Sequence, residues 1–261
     1  MEIKKIIGLF LCLCTVLSAG AQTRVIAHRG YWKTEGSAQN SVTALQKAAE
    51  AGLYGSEFDV RLTADDVVVV NHNPSFRGRS IASAHYEELE QLKLKNGEKL
   101  PMLDEYLRAG KKLEGLRLVL EAKKQASKER EDLMAQLIVD CVKKHGLENR
   151  VDYISFSMNL CEQFLRLCPD ANIAYLKGDL SPREVKEKGL NGIDYRYTVL
   201  QRHPEWIEEA HDLGMTVNSW TVNKAKTMQK LVGLGIDFLT TNEPLKALEV
   251  VKEEKKAKEE R

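Results

Sequence analysis

Within the stretch Ser56 to Asn73, SEFDVRLTADDVVVVNHN, two carboxylates and an imidazole stand at spacings suited to metal-assisted proton transfer. Glu57 and Asp59 are two residues apart in a β-prone run, so their carboxylates leave the same face of one strand. Ala64-Asp65-Asp66 reads as a turn, and Val67 to Val70 as a second strand that returns the chain to His72. Such a hairpin brings the imidazole back toward the acid pair. A pair of acids can hold a divalent cation, and a neighbouring histidine can move a proton. The same residues also suit a solvated strand with a surface histidine, so the elements around them decide.

Val25-Ile26-Ala27 reads as a short buried strand ending at His28-Arg29-Gly30. A polar loop from Tyr31 to Gln39 leads to a helix capped by Asn40 or Ser41, with Val42, Leu45, Ala48 and Ala49 on one face and Gly52 as its stop. Pro74 to Ser80 reads as a Gly/Arg/Ser-rich loop, and His85 to Leu94 and Leu103 to Leu113 as helices. Leu116 to Leu120 is a strand ending in Glu121-Ala122-Lys123. Strands at 152–156, 172–176, 192–196, 215–220 and 237–241 then alternate with helices at 129–145, 159–168, 182–188, 204–213, 224–233 and 244–253. The Lys/Glu tail from Lys252 reads as a solvated or frayed helix end.

That makes nine strands, eight of them followed by a helical stretch. The runs 56–60 and 67–71 are too close for a crossover, so the second must return antiparallel. Eight β-α units in about 230 residues predict an α/β fold, a (β/α)8 TIM barrel with a β-hairpin excursion after the second barrel strand. A doubly wound open sheet uses the same alternation, but no Gly-rich dinucleotide fingerprint supports it.

Barrel chemistry sits at the C-terminal ends of the strands. Those positions are His28 and Arg29 on the first strand, Glu57 and Asp59 on the second, Glu121 and Lys123 on the third, and Trp220 on the seventh. Three carboxylates for a divalent cation, two histidines for proton transfer, and an Arg and a Lys for an anion suit a phosphate-ester site. His85, His145, His203 and His211 lie on expected helices or at their ends and read as structural. Arg61, two residues beyond Asp59, reads as a salt-bridge partner.

At the N-terminus, Lys4 and Lys5 precede the apolar run Ile6 to Leu17, and small residues follow at Ala19-Gly20-Ala21. This is the layout of a secretory signal peptide, too short to span a bilayer, and it predicts cleavage after Ala21. The expected organisation is therefore a signal over 1–21 and one domain over 22–261, exported to the periplasm or secreted; an uncleaved anchor is the alternative. Of the 39 Lys and Arg and 38 Asp and Glu, residues 1–21 hold two and one, so the remainder balances at 37 each. Such balance gives no argument for nucleic acid or a strongly anionic membrane surface as partner. Cys141, Cys161 and Cys168 remain, and an odd number leaves one thiol unpaired. Cys161 and Cys168, seven apart in an expected helix, would be about 10.5 Å apart, beyond disulfide reach. All three read as core packing.

With these residues assembled, the chain resembles the glycerophosphodiester phosphodiesterase family over nearly all of its length beyond residue 21. The family's H-R-G is His28-Arg29-Gly30, its E-x-D is Glu57-Phe58-Asp59, and its valine-rich strand ends at His72-Asn73. E-x-K is Glu121-Ala122-Lys123, and W-T-V-N runs from Trp220 to Asn223. The resemblance implies hydrolysis of glycerophosphodiesters to glycerol 3-phosphate and an alcohol, through attack of the neighbouring glycerol hydroxyl and a cyclic phosphate. It implies one divalent cation, Ca2+ or Mg2+, on Glu57, Asp59 and Glu121, with His28 and His72 as general acid and base. Arg29 and Lys123 would hold phosphate oxygens, and Trp220 would wall the substrate. The partner is then a small-molecule phosphodiester. A non-catalytic barrel binding phosphate esters and a phospholipase-type enzyme are the alternatives. Two departures stand out: the family's P-E-N-T is Ala38-Gln39-Asn40-Ser41, and its H-D is His72-Asn73.

Overall fold

The computed structural model describes residues 22–260, and the export segment expected over residues 1–21 lies outside them. In chain order the elements are β1 (Arg24–Ala27), α1 (Val42–Glu50), β2 (Gly55–Leu62), β3 (Val68–Val70), β4 (Ser75–Phe76), β5 (Arg79–Ser80), a 3-10 turn (Ile81–Ser83), α2 (Tyr86–Glu90) and α3 (Leu103–Lys111). There follow β6 (Arg117–Ala122), α4 (Lys128–His145), β7 (Val151–Ser155), α5 (Met158–Leu167), β8 (Ile173–Tyr175), α6 (Pro182–Glu187), β9 (Gly192–Arg196) and α7 (Tyr197–Arg202). The chain ends with α8 (Glu205–Asp212), β10 (Thr216–Trp220), α9 (Ala225–Gly233), β11 (Phe238–Thr241) and α10 (Pro244–Glu259).

The strands pair in the order β1-β11-β10-β9-β8-β7-β6-β2, and β1 pairs back with β2, which closes an eight-stranded parallel barrel. This is the (β/α)8 fold. β3 pairs antiparallel with β2, with Val60 opposite Val70, which is the hairpin excursion expected from the short connection. Between strands and outer helices lies one continuous core that includes Phe58, Leu118, Tyr153, Phe164 and Leu239. Its strand residues alternate along the chain with those that point into the barrel, as the pleat requires.

Three local differences from the sequence reading have physical causes. The Pro74–Ser80 loop contains a miniature hairpin, β4 with β5, turned by Arg77 and Gly78 at positive φ. Phe76, Ile81, Tyr86, Leu89 and Leu100 anchor it in a small core of their own beside Val69. The helix read over His85 to Leu94 keeps only Tyr86–Glu90, because Lys93 pairs with Lys99 in an isolated bridge that pulls the chain out of helix. α7 was not foreseen; it is a short helix that follows β9 in the chain and packs against β9 and β10.

The turn after β1 is tight. Arg29 and Gly30 both have positive φ, at 60° and 76°. A Cβ on Gly30 would meet the Ala44 Cβ at 2.6 Å, so α1 packs directly on the glycine. Gly36 has a similar φ of 72° but open space around it. Gly30→Ala is expected to destabilise the fold by about 2–4 kcal/mol in urea denaturation, from backbone strain plus the clash. Gly36→Ala isolates the strain alone and is expected to cost about 1 kcal/mol; equal losses at the two positions would contradict the packing argument.

Candidate active site

Strand register brings the acids together. Asp59 lies opposite Glu121 in the β2–β6 ladder, and Glu57 lies one pleat below. β6 runs to Ala122, two residues past its expected end, so Glu121 is a strand residue facing inward. One carboxylate oxygen from each of Glu57, Asp59 and Glu121 lies within 4.8 Å of the others, and all three residues are buried. Lys123 Nζ bridges Asp59 Oδ1 at 2.7 Å and Glu121 Oε1 at 2.6 Å. Glu57 accepts from the Arg29 backbone N–H at 2.7 Å, while its Oε1 is buried with no donor among the described residues.

Too many negative charges in too little water set the protonation here. Burial first, then Asp59 and Glu121, pushes Glu57 well above the ordinary carboxylate range. Burial and Asp59 push Glu121 to about 7. Burial also works against Asp59, but Lys123, His72 and Arg29 outweigh it and hold that carboxyl below its usual range. Lys123 is disfavoured by burial and rescued by Asp59 and Glu121, with a net upward shift. A buried all-oxygen triad with an orphaned acceptor fits a hard divalent cation.

The two histidines reach the same cleft from opposite sides. His28 follows β1, and His72 follows β3; both line a cleft of about 550 Å³ with Glu57, Glu121, Lys123 and Trp220. His72 returns over the acids because Asn71 N–H donates to Asp59 O at 2.9 Å. Arg61 secures the turn by donating to the His72 carbonyl from Nε at 2.9 Å and Nη2 at 2.7 Å. It is therefore a positioning residue for His72, and makes no salt bridge to Asp59.

The tautomer of His28 follows from its neighbours. Asn242 Oδ1 accepts from the Trp32 indole N–H at 3.1 Å, and an indole can only donate. That oxygen also lies 2.8 Å from His28 Nδ1, which must then carry the proton. Nε2 keeps its lone pair. Burial, with Arg29 second, lowers the His28 pKa to about 4, so the ring is neutral at pH 7. His72 is lowered too, chiefly by burial, and its Nδ1 is 2.9 Å from Asn73 Oδ1.

The two amide-for-acid departures both touch residues of the site. Gln39 Oε1 accepts from Arg29 Nη1 at 2.8 Å, and Asn73 meets His72 as just described. Arg29 Nε, 3.6 Å from Asp59, is buried without a hydrogen-bond acceptor among the described residues. Across the cleft Trp220 donates to the Asp194 carbonyl at 2.9 Å and meets Phe156 edge-on, with centroids 5.5 Å apart.

All eight residues singled out in the sequence thus converge on one end of the barrel. Sequence reading missed four others. Asn40 was read as a helix cap, a role Ser41 takes, and as the matching Asn of the P-E-N-T loop, with no partner assigned. Its side chain instead clasps Asp59, donating to Oδ2 at 2.8 Å and accepting from the Asp59 N–H at 3.1 Å. Asn242 and Phe156 stand just past strand ends, where the barrel rule could have found them. Asp194 lies beneath Glu121 inside the barrel, and burial raises its carboxyl to about 8; only the closed register puts it there.

A model of the glycerophosphoryl diester phosphodiesterase family matches residues 28–246. The crystal structure of a glycerophosphodiester phosphodiesterase from Parabacteroides distasonis is 50% identical, covers 90% of this chain and 99% of its own, and superposes with a TM-score of 0.89. A glycerophosphodiester phosphodiesterase from Caldanaerobacter subterraneus subsp. tengcongensis is 22% identical across 88% of this chain and 98% of its own. A phosphodiesterase from Oleispira antarctica, solved with the product sn-glycerol-3-phosphate, shares the fold at 21% identity, a TM-score of 0.76, and coverage of 88% of this chain and 97% of its own.

The raised carboxyls make stability depend on pH. Between 4.5, the ordinary glutamate value, and about 7, folded Glu121 keeps a proton that the unfolded chain has lost. Its contribution is therefore present below that window and lost as pH rises through it. With cations chelated, raising pH from about 5 to about 8 is expected to cost the native chain about 2–4 kcal/mol more in urea denaturation than Glu121→Gln. Identical pH dependence in the two proteins would contradict this charge balance.

Proposed function

The chain belongs to the glycerophosphoryl diester phosphodiesterase family, and from that premise we propose metal-assisted hydrolysis of glycerophosphodiesters, with His28 as the first base and His72 as the first acid. Its enzyme class is that of a phosphoric diester hydrolase. The observation that carries the finer reading is the meeting of a lone-pair-bearing His28 Nε2, His72 and the three-acid cage in one cleft. The Oleispira relative was solved with sn-glycerol-3-phosphate, the product this reading requires.

The glycerol hydroxyl next to the ester attacks phosphorus while His28 Nε2 takes its proton. The bond to the alcohol breaks as His72, nearer the solvent and entering this step as the imidazolium, gives its Nε2 proton to the departing alkoxide. Water then opens the cyclic phosphate with the two roles reversed, which restores both imidazoles and leaves glycerol 3-phosphate. Proton transfer by a positioned group is worth about 10²–10⁴-fold. Arg29 and Lys123 orient the phosphate oxygens, and Trp220 with Phe156 forms an apolar wall beside them. Glu57, Asp59 and Glu121 would hold the cation, which when bound draws charge from the phosphate. An all-oxygen set favours Ca2+ or Mg2+ over zinc, and Ca2+ tolerates irregular cages better.

The non-catalytic alternative drew its support from Gln39 and Asn73, yet both amides hydrogen-bond site residues, Gln39 to Arg29 and Asn73 to His72. No helix among the described residues is long and apolar enough to cross a membrane. The apolar run before residue 22 supports export to the periplasm or beyond; the mature N-terminus is expected at Gln22 by N-terminal sequencing.

Glycerol 3-phosphate release from glycerophosphocholine is expected to vanish in excess EDTA and return with Ca2+ or Mg2+. Full activity in the chelator would remove the cage from the mechanism. His28→Ala is expected to lose about 10²–10⁴-fold in kcat on any leaving group. His72→Ala should lose as much on glycerophosphocholine yet recover most of it on a p-nitrophenyl diester, whose leaving group needs no proton. Recovery in His28→Ala instead would exchange the two assignments.

A further inference from the structure

A second group of ligand-type side chains lies away from the barrel mouth, between two outer helices. Cys141 and His145 are four apart in the last two turns of α4, so they share one face of the helix. Asp104, in the first turn of α3, reaches across to them, with Oδ1 3.0 Å from His145 Nε2. One ligand atom from each of the three lies within 4.8 Å of the others, and all three residues are partly buried. The phosphodiesterase reading uses none of them.

We propose that Asp104, Cys141 and His145 form a second cation site, selective for a borderline-soft divalent ion of the zinc class. The donor set decides the class. A thiolate and an imidazole favour zinc-like ions, whereas the barrel's three carboxylates favour Ca2+ or Mg2+. Around a tetrahedral zinc with bonds of about 2.0–2.3 Å, neighbouring ligand atoms are about 3.3–3.8 Å apart. The group therefore closes on an ion by side-chain rotation, with no change in helix packing. Three protein ligands leave the fourth position to water.

Lys144 Nζ lies 2.7 Å from Asp104 Oδ1 and balances that carboxylate in the free protein. Its side chain is 68% exposed, so the ammonium can move into water when an ion takes its place. The Cys141 thiol keeps its proton in the free protein, because burial and then Asp104 push its pKa to about 11. Binding forms the sulfur–metal bond and releases that proton to solvent. A bound ion would tie the start of α3 to the end of α4, on the outer wall behind β6.

Cobalt(II) added to the intact, reduced protein tests the site, because a thiolate ligand gives a charge-transfer absorption that a carboxylate cage cannot. The band is expected in the native chain and absent in Cys141→Ser, which should keep native phosphodiesterase activity and so report its own folding. His145→Gln should bind cobalt about tenfold more weakly or worse by the same band. Zinc should raise the Tm of the native chain and leave that of Cys141→Ser unmoved by this site. No band in the native chain, or a band that survives in Cys141→Ser, would overturn the proposal. Either outcome leaves the barrel-site reading intact, since glycerophosphodiester turnover is measured separately.

Discussion

Three buried carboxylates sit within 4.8 Å of one another, with Lys123 paired to two of them and Arg29 3.6 Å from Asp59. Like charges at such distances in a poorly solvated place repel strongly, and the chain must hold them there against that repulsion. It does so with rigid backbone. Glu57 and Asp59 belong to a strand hydrogen-bonded on both sides, to β6 and β1 or β3, and Glu121 is locked beside Asp59 by register. Asn40 fixes Asp59 at both its carboxylate and its backbone. The repulsion left over appears as raised Glu57 and Glu121 carboxyls, which is the form of stored affinity that a divalent cation would release.

The histidines are set by the same economy of neighbours. Neither faces an acid of its own at Nδ1; each meets an amide oxygen, Asn242 for His28 and Asn73 for His72. A neutral acceptor fixes the ring's orientation without stabilising the imidazolium, so burial prevails and both pKa values fall. An aspartate at position 73 would pull the His72 value upward. The amides at 39 and 73 therefore change the charge of the site more than its shape, and the relay from Trp32 through Asn242 to His28 is a positional device built wholly of neutral groups.

Much of this was legible in the sequence because it rests on short-range regularities. The period-2 spacing of Glu57 and Asp59, the short turn that forces β3 antiparallel, and the eightfold alternation together lead to the barrel and to the convergence at its mouth. What was not legible depends on through-space partners. Asn40 touches Asp59 across 19 positions and Asn242 touches His28 across 214. Nothing local distinguishes either from a solvated asparagine. Arg61 was assigned to Asp59 by spacing, whereas the bend after β3 offers it the His72 carbonyl, an acceptor visible only once the hairpin is closed. The small core around Phe76 and Ile81 escaped for a related reason: the segment is polar on average, and its apolar partners, such as Val69 and Leu100, come from elsewhere in the chain.

The central claim is that the acid cage is short of positive charge and takes up a cation to relieve it. Calorimetric titration of Ca2+ into the chelator-stripped protein near pH 7, repeated in buffers of different ionisation enthalpy, tests this most directly. The account predicts one ion bound to the cage with net proton release, and loss of that release in Glu121→Gln. Absence of Ca2+ and Mg2+ binding, or binding without proton release that Glu121→Gln leaves unchanged, would contradict it.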